Sequence, residues 1–90
     1  MYKISYTEKA EKDLTAFKRN EPQSFKKVIK LIDELTEHPT TGTGKPKQLS
    51  GDRAGQWSRR ISEKHRLIYM IDNEKVVVLL LSAYGHYDDK

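Results

Sequence analysis

Residues 75–82 read Lys75-Val76-Val77-Val78-Leu79-Leu80-Leu81-Ser82, and this stretch decides the fold. The apolar run from Val76 to Leu81 leaves no side for water, so the segment is expected to be a central strand buried on both faces. It is far too short to cross a bilayer. A central strand needs neighbours, and the sequence before it supplies them. Segments 47–49, 56–61 and 66–71 carry strand patterning, punctuated by Gly51-Asp52 with Gly55, by Ser62-Glu63-Lys64 and by Asp72-Asn73-Glu74.

Further upstream the period changes. Tyr2, Ile4 and Tyr6 alternate with Lys3 and Ser5, which predicts a short, half-buried strand. Thr7 is placed to cap a helix, with Glu8 and Glu11 near its positive end and Lys18 and Arg19 in its closing turn. Ala10, Leu14 and Phe17 fall at helical spacing. Asn20, with Pro22 just inside, is expected to open a second helix whose apolar stripe is Phe25, Val28, Ile29, Ile32 and Leu35. Two helices with a short connection form an antiparallel hairpin. Pro39 and the Thr40-Thr41-Gly42-Thr43-Gly44 stretch end it in a loop. The expected fold is α+β: an N-terminal strand, then a two-helix hairpin packed on one face of a mostly antiparallel four- to five-stranded sheet. Residues 1–90 are expected to form a single domain.

Composition narrows the functions. Lys plus Arg outnumber Asp plus Glu by 17 to 13, giving a net charge of +4 on 90 residues, which favours polyanionic partners. There is no cysteine, so disulfides and thiolate metal sites are excluded. His38, His65 and His86 have no ligand spacing, and no metal or cofactor is expected. Residues 1–6 lack the apolar core of a signal peptide, so the expected compartment is the cytoplasm and no membrane contact is expected.

If helices cover one sheet face, the other is wet or binds something. The strand half gathers Lys45, Lys47, Arg53, Arg59, Arg60, Lys64 and Arg66, interleaved with Trp57, Tyr69, Tyr84 and Tyr87. Cations mixed with flat rings suit single-stranded RNA, by phosphate pairing and base stacking. Trp57 taken alone reads more readily as a core residue. Just beyond the apolar run, Tyr84-Gly85-His86-Tyr87 brings a histidine, the side chain that both gives and takes protons near neutral pH.

Four elements carry a resemblance. Trp57-Ser58-Arg59-Arg60-Ile61, then Glu63-Lys64-His65-Arg66-Leu67-Ile68-Tyr69, then His86-Tyr87, resemble the YoeB (Txe) toxins of the RelE superfamily. Gly42-Thr43-Gly44-Lys45-Pro46 resembles the same family's G-x-G-K-P element. The likeness spans the chain with its motifs in order. It implies a ribosome-dependent endoribonuclease of a type II toxin–antitoxin system, cutting mRNA by attack of the 2′-hydroxyl on the adjacent phosphate. The products would be a 2′,3′-cyclic phosphate and a free 5′-hydroxyl. Position by position, the resemblance makes Arg66 the phosphate-stabilising arginine, His86 the general acid and Tyr87 the tyrosine that orients the scissile nucleotide. Arg60 matches an arginine near the phosphate. Lys45, Arg59, Lys64 and Trp57 are expected to contact RNA beside them. Implied partners are a cognate acidic antitoxin, mRNA on the ribosome, and operator DNA only through the antitoxin, since nothing here reads as helix-turn-helix. Homodimers occur in the family, but no sequence feature demands one.

One departure from the family stands at position 47. The family's general base is a glutamate directly after G-K-P, where this chain has Lys47. Three readings stay open: Lys47 as base, Lys47 as a second phosphate cation, or another carboxylate such as Glu63 as base. The alternative function is a catalytically weakened module that binds RNA and antitoxin and acts as a corepressor.

Overall fold

The computed structural model describes residues 1–83. In chain order the elements are β1 (Lys3–Tyr6), α1 (Glu8–Asn20), α2 (Pro22–Leu35), β2 (Lys47–Gln48), β3 (Gln56–Arg60), β4 (Arg66–Asp72) and β5 (Val77–Ser82), with a short 3-10 turn at Gly51–Arg53. The strands form one sheet in the order β1-β5-β4-β3-β2. Only the β1–β5 pair is parallel; the other three pairs are antiparallel. The expected α+β architecture, with five strands, is what the chain adopts. From Val77 onward the apolar run lies inside the sheet, in β5 between β1 and β4, whereas Val76, expected in the strand, falls in the turn before it with a left-handed backbone (φ 56°).

Thr7 caps α1 as expected. Its backbone is extended (φ −78°, ψ 164°), and its hydroxyl accepts from the Ala10 N–H at 3.1 Å. The same hydroxyl donates to the Leu81 carbonyl at 3.0 Å, so the cap also fastens the helix to β5. At the other end of α1 the expectation needs correcting. Asn20 does not open the second helix; it closes the first, and Glu21 (φ −140°) makes the corner without a side-chain cap of its own. The Glu21 carboxylate is instead engaged by His65 Nε2 at 2.8 Å, from the turn between β3 and β4. Pro22 opens α2 as expected, where a missing N–H costs nothing.

The α2 stripe also differs from expectation, with Leu31 taking the place of Ile29. Val28, Leu31, Ile32 and Leu35 are its buried residues, at i, i+3, i+4 and i+7, while Ile29 is 49% exposed. At 100° per residue Ile29 stands off the seam that Leu31 completes. These side chains, with Ala10 and Phe17 of α1, pack on Leu67, Tyr69, Val78 and Leu80 of the sheet. Burial of each such aliphatic or aromatic side chain is worth roughly 1.5–3 kcal/mol. A register shift at Ile68/Tyr69 lets Leu80 pair with Tyr69 while Ser82 pairs with Ile68. No helix among the described residues is long and apolar enough to cross a membrane.

Candidate active site

Strand alternation sorts the candidate residues onto two faces. On β3, Trp57 and Arg59 point toward the helices, and Ser58 and Arg60 point away. Register then builds the face turned away from the helices, where Ser58 and Ile68 are buried and Lys47 and Arg60 are exposed. Lys47 stands opposite Ser58, Ser58 opposite Ile68, and Ile68 opposite Ser82, forming one row across four strands. In the next row Arg60 stands directly opposite Arg66. The sheet thus brings together Lys47, Arg60 and Arg66, separated in sequence by up to 19 positions, at one end of one face. Like charges placed directly opposite are destabilising, so this pair costs the fold something.

Arg66 is partly restrained. Its Nη1 donates to the carbonyls of Ser62 at 2.7 Å, His65 at 3.1 Å and Glu63 at 3.4 Å, and so closes the 61–65 turn. Among the described residues, Nε and Nη2 of its guanidinium have no such partner. Lys64 and Glu63 are exposed on that turn, and Lys45 is exposed just before β2. Among the described residues, Lys45, Lys47, Arg60, Lys64 and Arg66 form no ion pair with a carboxylate. The expected acid and orienting residue, His86 and Tyr87, lie outside the described residues. The strand that leads to them ends at Ser82, in the Lys47–Ser58–Ile68 row.

Two residues expected to contact RNA face the other way. Arg59 is fully buried and reaches under the sheet to α2. Its Nη1 pairs with Glu34 Oε1 at 2.8 Å and donates to the Thr43 carbonyl at 3.2 Å. Its Nη2 donates to the carbonyls of Thr41, at 2.6 Å, and His38. Its Nε donates to the Tyr69 hydroxyl at 3.2 Å. A buried guanidinium with every nitrogen engaged is a structural hub, with nothing left for a phosphate. Trp57 is half-buried against the core, in a groove with Tyr2, His38 and Ile71 on the side away from the basic row. Tyr69, expected among the stacking rings, is fully buried. Burial pushes its phenol up, against the pull of Arg59, so it stays a neutral O–H and donates to the Pro39 carbonyl at 2.7 Å.

The loop before β2 is built on these contacts. Glu34 accepts from the Thr43 hydroxyl at 2.7 Å and the Thr43 N–H at 2.9 Å. Those two bonds, with a further contribution from Arg59, hold its carboxyl below the usual range against the opposing effect of burial. Gly42 (φ 112°) and Gly44 (φ 85°) have no alternatives here. A Cβ at Gly42 would sit 2.6 Å from Glu34 Oε1, and one at Gly44 2.9 Å from the Arg60 carbonyl. The Arg60 N–H donates to the Gly44 carbonyl at 2.7 Å. Lys45 follows with φ 52°, a left-handed turn in a lysine, before Lys47 enters β2. Glu34 was invisible to sequence reasoning, and Thr43 was legible only as part of the G-x-G-K-P element, since nothing in the sequence announces the two as partners. Among the described residues no group of His, Cys, Asp or Glu could hold a metal ion.

A family model described as YoeB-like toxin of bacterial type II toxin-antitoxin system matches residues 6–87. The toxin YoeB of Synechocystis sp. is 36% identical over 85 residues, covering 94% of this chain and 96% of that protein. Among solved structures, the YoeB/ParE toxin from Agrobacterium tumefaciens aligns with a TM-score of 0.88 at 32% identity, covering 94% of this chain and 99% of that one. The toxin in the heterotetrameric YoeB–YefM toxin–antitoxin complex from Staphylococcus aureus aligns with a TM-score of 0.82 at 30% identity, covering 97% and 99%. Fold, basic face and framing loop define a toxin of a bacterial type II toxin–antitoxin system. Within that class, the chain belongs to the YoeB toxin family.

Proposed function

We propose that this chain is an endoribonuclease that cuts mRNA on the translating ribosome, in the cytoplasm, and is held inactive by a cognate acidic antitoxin. The observation that carries this reading is the end of the sheet face away from the helices, where Lys47, Arg60 and Arg66 converge without a carboxylate partner among the described residues. A fold that sets two arginines opposite each other with no carboxylate on either among the described residues is prepared for an anion from outside.

The chemistry follows from the groups available. The 2′-oxygen attacks the adjacent phosphorus, the 2′-proton passes to a base, and the bond to the 5′-oxygen breaks as that oxygen gains a proton. The ends are a 2′,3′-cyclic phosphate and a 5′-hydroxyl. Arg66, with one nitrogen tied to the 61–65 turn, presents its remaining N–H groups to the phosphorane oxygens, and a preorganised donor of this kind stabilises charge without reorganising. Arg60, Lys45 and Lys64 neutralise flanking phosphates. His86 supplies the proton to the leaving oxygen and Tyr87 orients the nucleotide, as the family resemblance implies. Lys47 stands where the family's base stands, as base or as second phosphate cation, with another carboxylate, such as Glu63 on the turn beside Arg66, as the third candidate. Arg59 and Trp57 have no direct part. The antitoxin's acidic segment would cover Arg60, Lys64 and Arg66 by charge-assisted contacts, and operator DNA would be reached only through that complex.

The test is incubation of the purified chain with ribosomes translating a defined message, followed by mapping of both new ends. Cyclic phosphate at one end and hydroxyl at the other, with roughly 10²–10⁴-fold slower cleavage by His86→Ala, is the expected result. Intact mRNA under saturating toxin would replace this reading by the alternative, a weakened module that binds RNA and antitoxin as a corepressor.

A further inference from the structure

The loop that leads to Lys47 is not held by the sheet face on which Lys47 stands. It is held from beneath the sheet. Arg59 takes the carbonyls of His38, Thr41 and Thr43, Glu34 takes both donors of Thr43, and Tyr69 takes the carbonyl of Pro39. The neighbouring residue of β3, Arg60, closes the far end through its own N–H on the Gly44 carbonyl. The two arginines of the strand therefore share the loop between them. Arg59 fixes it with its side chain, while Arg60 fixes it with its backbone and leaves its own side chain exposed on the opposite face. From Pro39 to Gly44 the path is set by these contacts, and Lys47 is three residues further on.

We propose that Glu34 and Arg59 are positioning residues of the cleavage site, acting through residues 38–44 to set where Lys47 stands against Arg66. The proposal rests on the endoribonuclease reading above. A fork with five donors is needed because it meets three carbonyls, a carboxylate and a phenol at once. Glu34 is the second half of the clamp, since its carboxylate joins the helix to the amide and hydroxyl of Thr43.

The experiment is a double-mutant cycle on single-turnover cleavage with translating ribosomes. Glu34→Gln, Arg59→Lys and Thr43→Val are each made alone and together with Lys47→Ala. Displacing a reacting group by an ångström lowers rates by up to about 10²-fold, so the single variants should be on the order of 10–100-fold slower. Their affinity for the ribosome should be unchanged. In the Lys47→Ala background the loss should largely vanish, because residues acting through one group are not additive. Thr43→Val, at an exposed position, keeps the test available should a change at buried Arg59 prevent folding. Amide hydrogen exchange gives a readout apart from activity: protection at residues 43–48 should fall in Thr43→Val while β4 and β5 stay protected. Multiplicative rate losses with Lys47→Ala, a Lys47→Ala variant at native rate, or unchanged exchange over 43–48 would each overturn the proposal. A wild-type chain that cleaves nothing would instead overturn the endoribonuclease reading, leaving the exchange result to report on the clamp alone.

Discussion

The carboxylate of Asp13, midway along α1, accepts a hydrogen bond at 3.0 Å from the backbone N–H of Ala83, just past the end of β5. Ala83 is fully buried, so this amide has no water to turn to. Asp13→Ala is expected to lower stability by about 1–3 kcal/mol, the cost of a buried donor left unmade. Asp13→Asn keeps an acceptor oxygen and should lose much less. Thermal denaturation of the three proteins checks the order, and equal melting temperatures would show that the contact carries no stability.

On the proposed mechanism, Arg66 needs one nitrogen for the carbonyls of the 61–65 turn and others for the phosphate. Lysine puts its three donors on one nitrogen and lacks the planar fork that reaches turn and phosphate from separate nitrogens. Arg66→Lys should therefore cleave at least ~10²-fold more slowly, the usual loss for one charge-stabilising donor, even though the positive charge is retained. Native-rate cleavage by the lysine variant would reduce Arg66 to a residue of the turn.

The open readings of position 47 differ in their pH dependence. A lysine must shed its proton before it can accept one, so a Lys47 base makes cleavage rise with pH until loss of the His86 proton opposes it. Lys47→Glu would restore the family's arrangement and should raise the rate near pH 6–7, where an ordinary glutamate is already ionised. A Lys47→Glu variant slower than wild type at every pH would make Lys47 a phosphate cation. Full activity in Lys47→Ala would pass the question to Glu63.

Acid should loosen the loop before it unfolds the core. The Glu34 carboxyl is held below its ordinary value of 4.5, first by the Thr43 hydroxyl and amide and then by Arg59. A depressed folded-state value means that the carboxylate's contribution is complete above the unfolded value and is lost as pH falls through the folded one. The melting temperature of wild type should therefore drop on going below about pH 4.5, and part of that drop should be missing in Glu34→Gln. Parallel profiles for the two proteins would show that Glu34 does not contribute to the acid limb.

Val76 is the strained point of the β4–β5 turn: a β-branched residue at φ 56° and 42% exposed. A left-handed conformation costs an ordinary L-residue roughly 1–2 kcal/mol, and asparagine tolerates it better. Val76→Asn should raise the melting temperature by a few degrees, and a fall would mean that the valine side chain contributes packing that outweighs the strain.

The order of elements was legible because periodicity and turn residues are local signals. Val78 and Leu80 declared an interior strand, Thr7 declared a helix start, and the family motifs declared the basic row. What sequence reasoning missed is long-range. Arg59 read as one more cation in a basic cluster, although it shares strand parity with Trp57 and Ile61, both directed inward. That parity was the available signal. Glu34, its partner 25 positions away, offered none. Asn20 was favoured as a cap on local chemistry, but Glu21 took the corner because His65 was there to engage its carboxylate. Ile29 and Leu31 traded places since a helix stripe can be phased two ways until the sheet beneath it is known.

The parallel pairing of β1 with β5 has a consequence for biosynthesis. Thr7 and Leu81, bonded to each other, stand 74 positions apart, and Lys3 pairs with Val77. A nascent chain emerging from the exit tunnel carries β1 and both helices long before it carries the strand that joins them to β4. Until residues 77–82 are free, β1 has no neighbour and the helices have half a platform. The sheet therefore closes only when nearly all of the described chain has been made, and polypeptides truncated before Val77 should emerge as protease substrates, without a folded basic face.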